Sequence, residues 1–248
     1  MSAPSATRRV IVVVPAFQEA AKIQSTLAAM PDSVARIYVI DDASTDDTAA
    51  LAEALGDPRV HVLRHPQNRG VGAAIATGYR AALAEPGHAD DAFVVMAGDG
   101  QMAPADLPAL LGALETADYA KGNRMGHEEV RARMPVGRYV GSLVLSRLTG
   151  AATGLSIDDS QCGYTALTRR ACAALDLDDL WPRFGYPNDI LGQLAARGLR
   201  VVEVPIEPVY ADETSHLRIW HVPRIAWLIA RAATRVRVAR SGLLARSL

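Results

Sequence analysis

Residues 92–101 read Ala92-Phe93-Val94-Val95-Met96-Ala97-Gly98-Asp99-Gly100-Gln101, an unbroken apolar run that ends on a glycine–acid–glycine turn. Apolar residues without alternation read as a strand buried on both faces, as in a parallel sheet covered by helices. Ligands of open α/β sheets gather outside the carboxyl ends of the strands, so a carboxylate placed there faces a crevice rather than the core. A second run of the same kind, Arg36-Ile37-Tyr38-Val39-Ile40, stops at Asp41-Asp42. A nucleotide or a metal–phosphate group is the natural thing for two acidic strand ends to meet.

The segments on either side alternate in the same way. Strands are expected at Arg9–Val14, Ile37–Ile40, Val60–Leu63, Phe93–Ala97 and Asp118–Lys121. Between them, helical patterns cover Glu19–Met30, the stretch after Asp41-Asp42, Gly70 to about Ala84, and the residues after Pro104. Ser44 or Thr45 is expected to cap the second helix, with Asp46 and Asp47 complementing its dipole. Alternating strands and helices predict an α/β fold: a Rossmann-like, mostly parallel central sheet with helices on both faces. Further on, Val136–Leu148 and Pro187–Arg197 read as helices, Gly198 as a C-cap, and Tyr164–Leu167 and Leu199–Val204 as strands. Residues 122–135 lack clear periodicity and are expected to form a loop.

Composition bounds the possibilities. The chain has 248 residues, half of them apolar, and a net charge of −1, which gives no basic bulk to suggest a nucleic-acid binder. Its two cysteines, Cys162 and Cys172, have neither zinc-ligand spacing nor a disulfide framework, so a reducing compartment is the default. No signal peptide or membrane span is expected. One asymmetry stands out: no acidic residue follows Glu213, whereas seven arginines do, from Arg218 to Arg246. With Trp220 and Trp227 among them, this stretch reads either as a basic amphipathic helix at a membrane interface or as a helix packed on the domain.

Single motifs are ambiguous. Pro15 can be a simple turn, Asp41-Asp42 a helix cap, and Gly98-Asp99-Gly100-Gln101 a tight turn. The functional alternatives are specific, however. Asn68-Arg69-Gly70-Val71-Gly72 opens a helix whose free N–H groups suit an anion. Asp99 and Gln101 offer oxygen ligands to a divalent cation on a diphosphate, and Gly98 lets the backbone come close.

Taken together, the motifs resemble the family 2 glycosyltransferases of GT-A fold, and within them the branch that moves a sugar onto a polyprenyl (dolichyl-type) phosphate. The resemblance spans roughly residues 9–215. It rests on Val-Val-Pro-Ala-Phe-Gln-Glu at 13–19, Ile-Asp-Asp-Ala-Ser-Thr-Asp-Asp-Thr at 40–48 and Asn-Arg-Gly-Val-Gly at 68–72. Gly-Asp-Gly-Gln at 98–101, Lys-Gly-Asn-Arg at 121–124 and Asp-Ser-Gln-Cys-Gly-Tyr-Thr-Ala at 159–166 complete it.

The resemblance implies a glycosyltransferase domain over 1–215, with a nucleotide half at about 9–122 and an acceptor half at about 123–215, followed by the basic tail at 216–248. It implies an inverting transfer from a nucleoside-diphosphate sugar to a polyprenyl phosphate, with Mg²⁺ or Mn²⁺ as cofactor. Pro15, Ala16, Glu19, Asp42, Gly70 and Gly98 would line the nucleotide, and Asp99 and Gln101 would hold the metal. Arg124, and one of Arg131 or Arg133 in the following loop, would meet phosphate oxygens of donor or acceptor, and Ser215, His216 and Arg218 the acceptor phosphate. A phosphate acceptor needs no base; a hydroxyl on a glycan, lipid or protein does, and Asp189 is the candidate, with first-turn dipole compensation as its structural alternative. A non-catalytic module that only binds the nucleotide sugar is the third possibility. Ala97 stands where the family's Asp-x-Asp pattern has its first carboxylate, and Ser215-His216 where related enzymes carry a Ser-Lys pair. The implied location is the cytoplasmic face of a membrane, peripherally bound.

Overall fold

The structure, a computed structural model, describes residues 8–126, 130, 134, 136–207 and 222–245. Seven strands form one sheet: β1 (Val10–Ala16), β2 (Val34–Asp41), β3 (Val60–Arg64), β4 (Ala92–Val95), β5 (Tyr119–Asn123), β6 (Thr165–Thr168) and β7 (Val201–Pro205). Their order is β3-β2-β1-β4-β6-β5-β7. All pairings are parallel except those of β6, which runs antiparallel to β4 and β5.

The apolar runs are central because both of their faces are covered. Along β1, Val10, Val12 and Val14 point into one core and Ile11 and Val13 into the other. The first core is closed by α1 (Ile23–Ala28), α2 (Thr48–Ala54) and α4 (Leu107–Ala113); the second by α3 (Val71–Ala84), α6 (Arg169–Ala174) and α7 (Tyr186–Ala196). Gly78 lets α3 lie directly on β1, since a Cβ there would stand 2.3 Å from a methyl of Val13. Two longer helices, α5 (Val136–Thr153) and α8 (Val222–Ala245), pack with α7 beside the sheet. Gly192 permits a close α7–α8 crossing, because its Cβ would lie 2.5 Å from that of Ala232.

Element boundaries differ from expectation mainly at helix starts. The second helix begins at Thr48 with Asp47 as an N-cap that makes no side-chain cap bond. Ser44 and Thr45 do not cap it; their hydroxyls bind Gln18 in the loop after β1. Gly198 ends α7 as expected: it has φ +67°, its N–H donates to Ala195, and the N–H of Leu199 donates to Leu194, a Schellman closure.

Topology positions the crevice. The chain winds outward through β1, β2 and β3, then α3 carries it back to the other side of β1, where β4 begins the second half of the sheet. The order reverses between β1 and β4, the switch point at which such sheets open for ligands. Because β6 is antiparallel, the loop that enters it, residues 158–164, lies on the same edge as the ends of β1, β4 and β5.

Candidate active site

Three loops meet at the switch point. The loop after β1 is pinned to the loop after β2: Gln18 N–H donates to Ser44 Oγ (3.0 Å), Glu19 N–H to Thr48 Oγ1 (2.8 Å) and Ala20 N–H to Asp46 Oδ2 (3.1 Å). Gln18 and Ala43 both have positive φ without being glycine, a strained backbone held by these bonds. On the other side, Gly98 N–H donates to Pro15 O (3.1 Å), and a Cβ on Gly98 would sit 3.3 Å from that of Ala16. Pro15, Ala16 and Gly98 thus form the floor on which Glu19 and Asp99 stand.

Asp99 accepts from the N–H of Gln101 (3.0 Å), which curls the turn and keeps the two residues together. The carboxyl of Glu19 is raised above its ordinary range, first by burial and next by the charge of Asp99. Asp99 and Gln101 offer oxygen donors of the kind a hard divalent cation takes, one or two from protein with diphosphate and water completing its shell. The donor set therefore fits Mg²⁺ or Mn²⁺. At Ala97, where the family pattern has an acid, the N–H meets Met102 Sδ (3.2 Å) and the side chain offers no ligand. Among the described residues no cluster of three or more metal-ligating side chains occurs.

On the same edge of the sheet, at the end of β5, Arg124 is gripped by Asp159. Its Nε lies 2.8 Å from Oδ2 and its Nη2 3.1 Å from Oδ1, a bidentate pair, and its own N–H also donates to Oδ2. Burial alone would push the fully buried Asp159 carboxyl up; the Arg124 guanidinium, with Lys121 behind it, overcomes this and holds it below the usual carboxylate range. The loop is held from β7, where Glu203 accepts from the N–H groups of Asp158 (2.7 Å) and Asp159 (2.9 Å). Lys121 is buried, donates to Cys162 O, and is pushed down by desolvation.

Three expected site residues have partners within the protein. The N–H groups of Arg69 (2.9 Å) and Gly70 (2.6 Å) both donate to Asp42, and that of Ala73 donates to Pro182 O (3.0 Å). The glycine turn is thus held in part from within the protein. Its glycines are required because a Cβ on Gly70 would lie 2.6 Å from Pro182 O, and one on Gly72 2.2 Å from Trp181 O. Asp42, also bonded to His65 Nδ1 (2.6 Å) and buried, holds that turn.

Asp189 is not a solvent-facing base. Its carboxylate is fully buried, accepts from Trp181 N–H (2.8 Å) and pairs with Arg235 (2.5 Å) on α8. Asp179 also pairs with Arg231 and Arg235, so these two tail arginines clasp the domain. Arg131, Arg133, Ser215, His216 and Arg218 lie outside the described residues. The Asp159–Arg124 grip and the Glu203 support escaped sequence reasoning; the motif containing Asp159 was the available signal.

A mostly parallel sheet with an antiparallel β6 and helices on both faces is the architecture of the GT-A type of glycosyltransferase. The chain belongs to glycosyl transferase family 2, whose model matches residues 11–175. Among curated relatives, an undecaprenyl-phosphate mannosyltransferase of Micrococcus luteus is 35% identical, over 80% of this chain and 82% of the relative. A polyprenol monophosphomannose synthase of Mycolicibacterium smegmatis is 31% identical, over 81% of this chain and 77% of its own. Among solved structures, glucosyl-3-phosphoglycerate synthase of Mycobacterium tuberculosis in complex with UDP aligns with a TM-score of 0.68. It is 23% identical and the match covers 93% of this chain and 80% of that one, a likeness of fold.

Proposed function

We propose that this glycosyltransferase moves a sugar, with inversion, from a nucleoside-diphosphate sugar to a polyprenyl phosphate in a divalent-metal-dependent reaction. The observation that carries the proposal is that Asp99 and Gln101 turn outward at the end of the β4 run, on the same sheet edge as Arg124, which a buried carboxylate holds in place. Relatives named for undecaprenyl-phosphate mannosyl transfer and polyprenol monophosphomannose synthesis support the lipid-phosphate acceptor.

The residues divide the work. Pro15, Ala16 and Gly98 give the nucleotide a flat floor. Asp99, with Glu19 and Gln101 beside it, would hold Mg²⁺ or Mn²⁺, which when bound neutralises the departing diphosphate as a Lewis acid. Arg124 adds positive charge fixed in advance by Asp159, so it costs little reorganisation when the leaving group gains charge. A phosphate monoester is largely ionised at neutral pH, its second pKa being about 6, so the chain must align the acceptor and need not deprotonate it. That agrees with Asp189 being buried and paired elsewhere.

Asp99→Ala should abolish metal-stimulated transfer while nucleotide still protects the fold against heat. In the wild type, metal affinity should fall as pH drops through the raised Glu19 pKa, because protons then compete for the site. Full transfer by Asp99→Ala, with the same metal response, would remove the proposal's foundation.

A further inference from the structure

Arg124 and Asp159 sit on different segments, and a guanidinium–carboxylate pair is no better fixed than the segments that carry it. Arg124 follows β5, and Asp159 lies in the loop that enters β6. Both segments are tied to one side chain, Glu203 of β7. Its Oε1 accepts from the N–H of Asp159 (2.9 Å) and its Oε2 from the N–H of Asp158 (2.7 Å). Oε2 also accepts from Asn123 Nδ2 (3.3 Å), and Asn123 Oδ1 in turn accepts from the N–H of Met125 (2.9 Å). The residues on either side of Arg124 and the N–H of Asp159 therefore share one carboxylate as anchor.

We infer that Glu203 is a positioning residue for sugar transfer: it fixes the two segments whose pairing aims Arg124 at the departing diphosphate. The inference rests on the reading above, in which Arg124 meets phosphate oxygens. Glu203 touches no substrate in that reading and acts only through Arg124 and Asp159.

The chemistry of the place selects a carboxylate. Three N–H donors converge on two oxygens, and an ionised carboxylate only accepts. A glutamine of the same shape turns its NH₂ against at least one of them. At Oε2 it would oppose Asp158 and Asn123; at Oε1 it would oppose Asp159. Either way a donor is left unmatched and the loop shifts to find another acceptor. The same loop is also held at its far end. Lys121 stands opposite Glu203 in the β5–β7 register, is fully buried, and donates to the carbonyl of Cys162. Two neighbouring strands thus grip the Asp159 loop at its first N–H groups and at a carbonyl near its end. Arg124 is aimed from the sheet, a rigid element, and not from one loop leaning on another.

A double-mutant cycle on the full chain tests this, with two readouts: transfer kinetics to a polyprenyl phosphate, and the ¹⁵N signal of the Arg124 guanidinium, assigned by its loss in Arg124→Ala. Glu203→Gln should lower kcat by about ten- to a hundredfold, the scale of a group displaced by about an ångström. The KM for the nucleotide sugar should stay within about threefold, because the lost interaction belongs to the transition state. The Arg124 signal should shift or broaden. In an Arg124→Ala background the same substitution should change kcat by less than about twofold, since the group it positions is gone. Glu203→Asp, which keeps the charge one methylene short, should fall between wild type and Glu203→Gln, and it replaces Glu203→Gln in the cycle if that variant does not fold. Wild-type kcat in Glu203→Gln, or the same fractional loss with and without Arg124, would overturn the inference and leave Glu203 a structural pin. A wild type that transfers to no polyprenyl phosphate would instead sink the acceptor reading. The Arg124 signal then decides the positioning alone: moved by Glu203→Gln it upholds the inference, unmoved it overturns it.

Discussion

Asp159 has no exposed surface, and its charge serves Arg124. Its two oxygens take the guanidinium in bidentate fashion and also accept from the N–H groups of Arg124, Gln161 and Cys162. Asp159→Asn keeps the shape but leaves a half-buried cation short of its partner, and breaking a buried pair costs about 3 kcal/mol. Urea denaturation should read that loss. Because the folded Asp159 pKa is depressed, its contribution is present above the unfolded value of about 3.9 and is lost as pH falls through the folded one. The variant's stability should therefore fall less steeply than the wild type's below about pH 4. Transfer should drop by roughly 10²-fold if the fixed arginine meets the leaving group, the scale of one preorganised donor. A variant with wild-type turnover would reduce Asp159 to a structural role.

At the scale of elements, the strands were legible because their chemistry is local. Val94 and Val39 lie in runs too apolar to face water, and Asp99 and Asp41 mark where those runs end. The glycine turn was legible as a turn but not as to purpose: Asn68-Arg69-Gly70 looks alike whether its N–H groups meet a phosphate or Asp42. Partners far apart in sequence were the unreadable part. Asp189 sits in the first turn of α7 as expected, yet its partner is Arg235, on a helix the sequence also allowed to lie on a membrane. Burial pushes the Asp189 carboxyl up, while Trp181 N–H and the two arginines pull against it. Asp189→Asn should loosen α8 at a cost of about 2 kcal/mol, lowering the melting temperature by roughly 4–8 °C for a chain of this size. Folded enzyme should keep turnover within about tenfold. A loss of 10²- to 10⁴-fold at unchanged stability would restore Asp189 as a general base.

Across the whole molecule, one chain of contacts joins the tail to the glycine turn that opens α3. Arg235 holds Asp189, Asp189 holds Trp181, and residues 181–182 press on Gly72 and accept from Ala73 at the start of α3. The sheet supplies the crevice, and β6 turns the Asp159 loop toward it. In the proposed reaction these parts serve transfer to an acceptor that brings its own negative charge. The direct test is to incubate the purified chain with Mn²⁺, a panel of radiolabelled UDP-, GDP- and dTDP-sugars, and in parallel a polyprenyl phosphate or the matching polyprenol. Label should enter the organic phase with at least one donor, only with the phosphate, and only with metal present. Transfer to the alcohol alone, or donor breakdown with neither lipid labelled, would contradict the account.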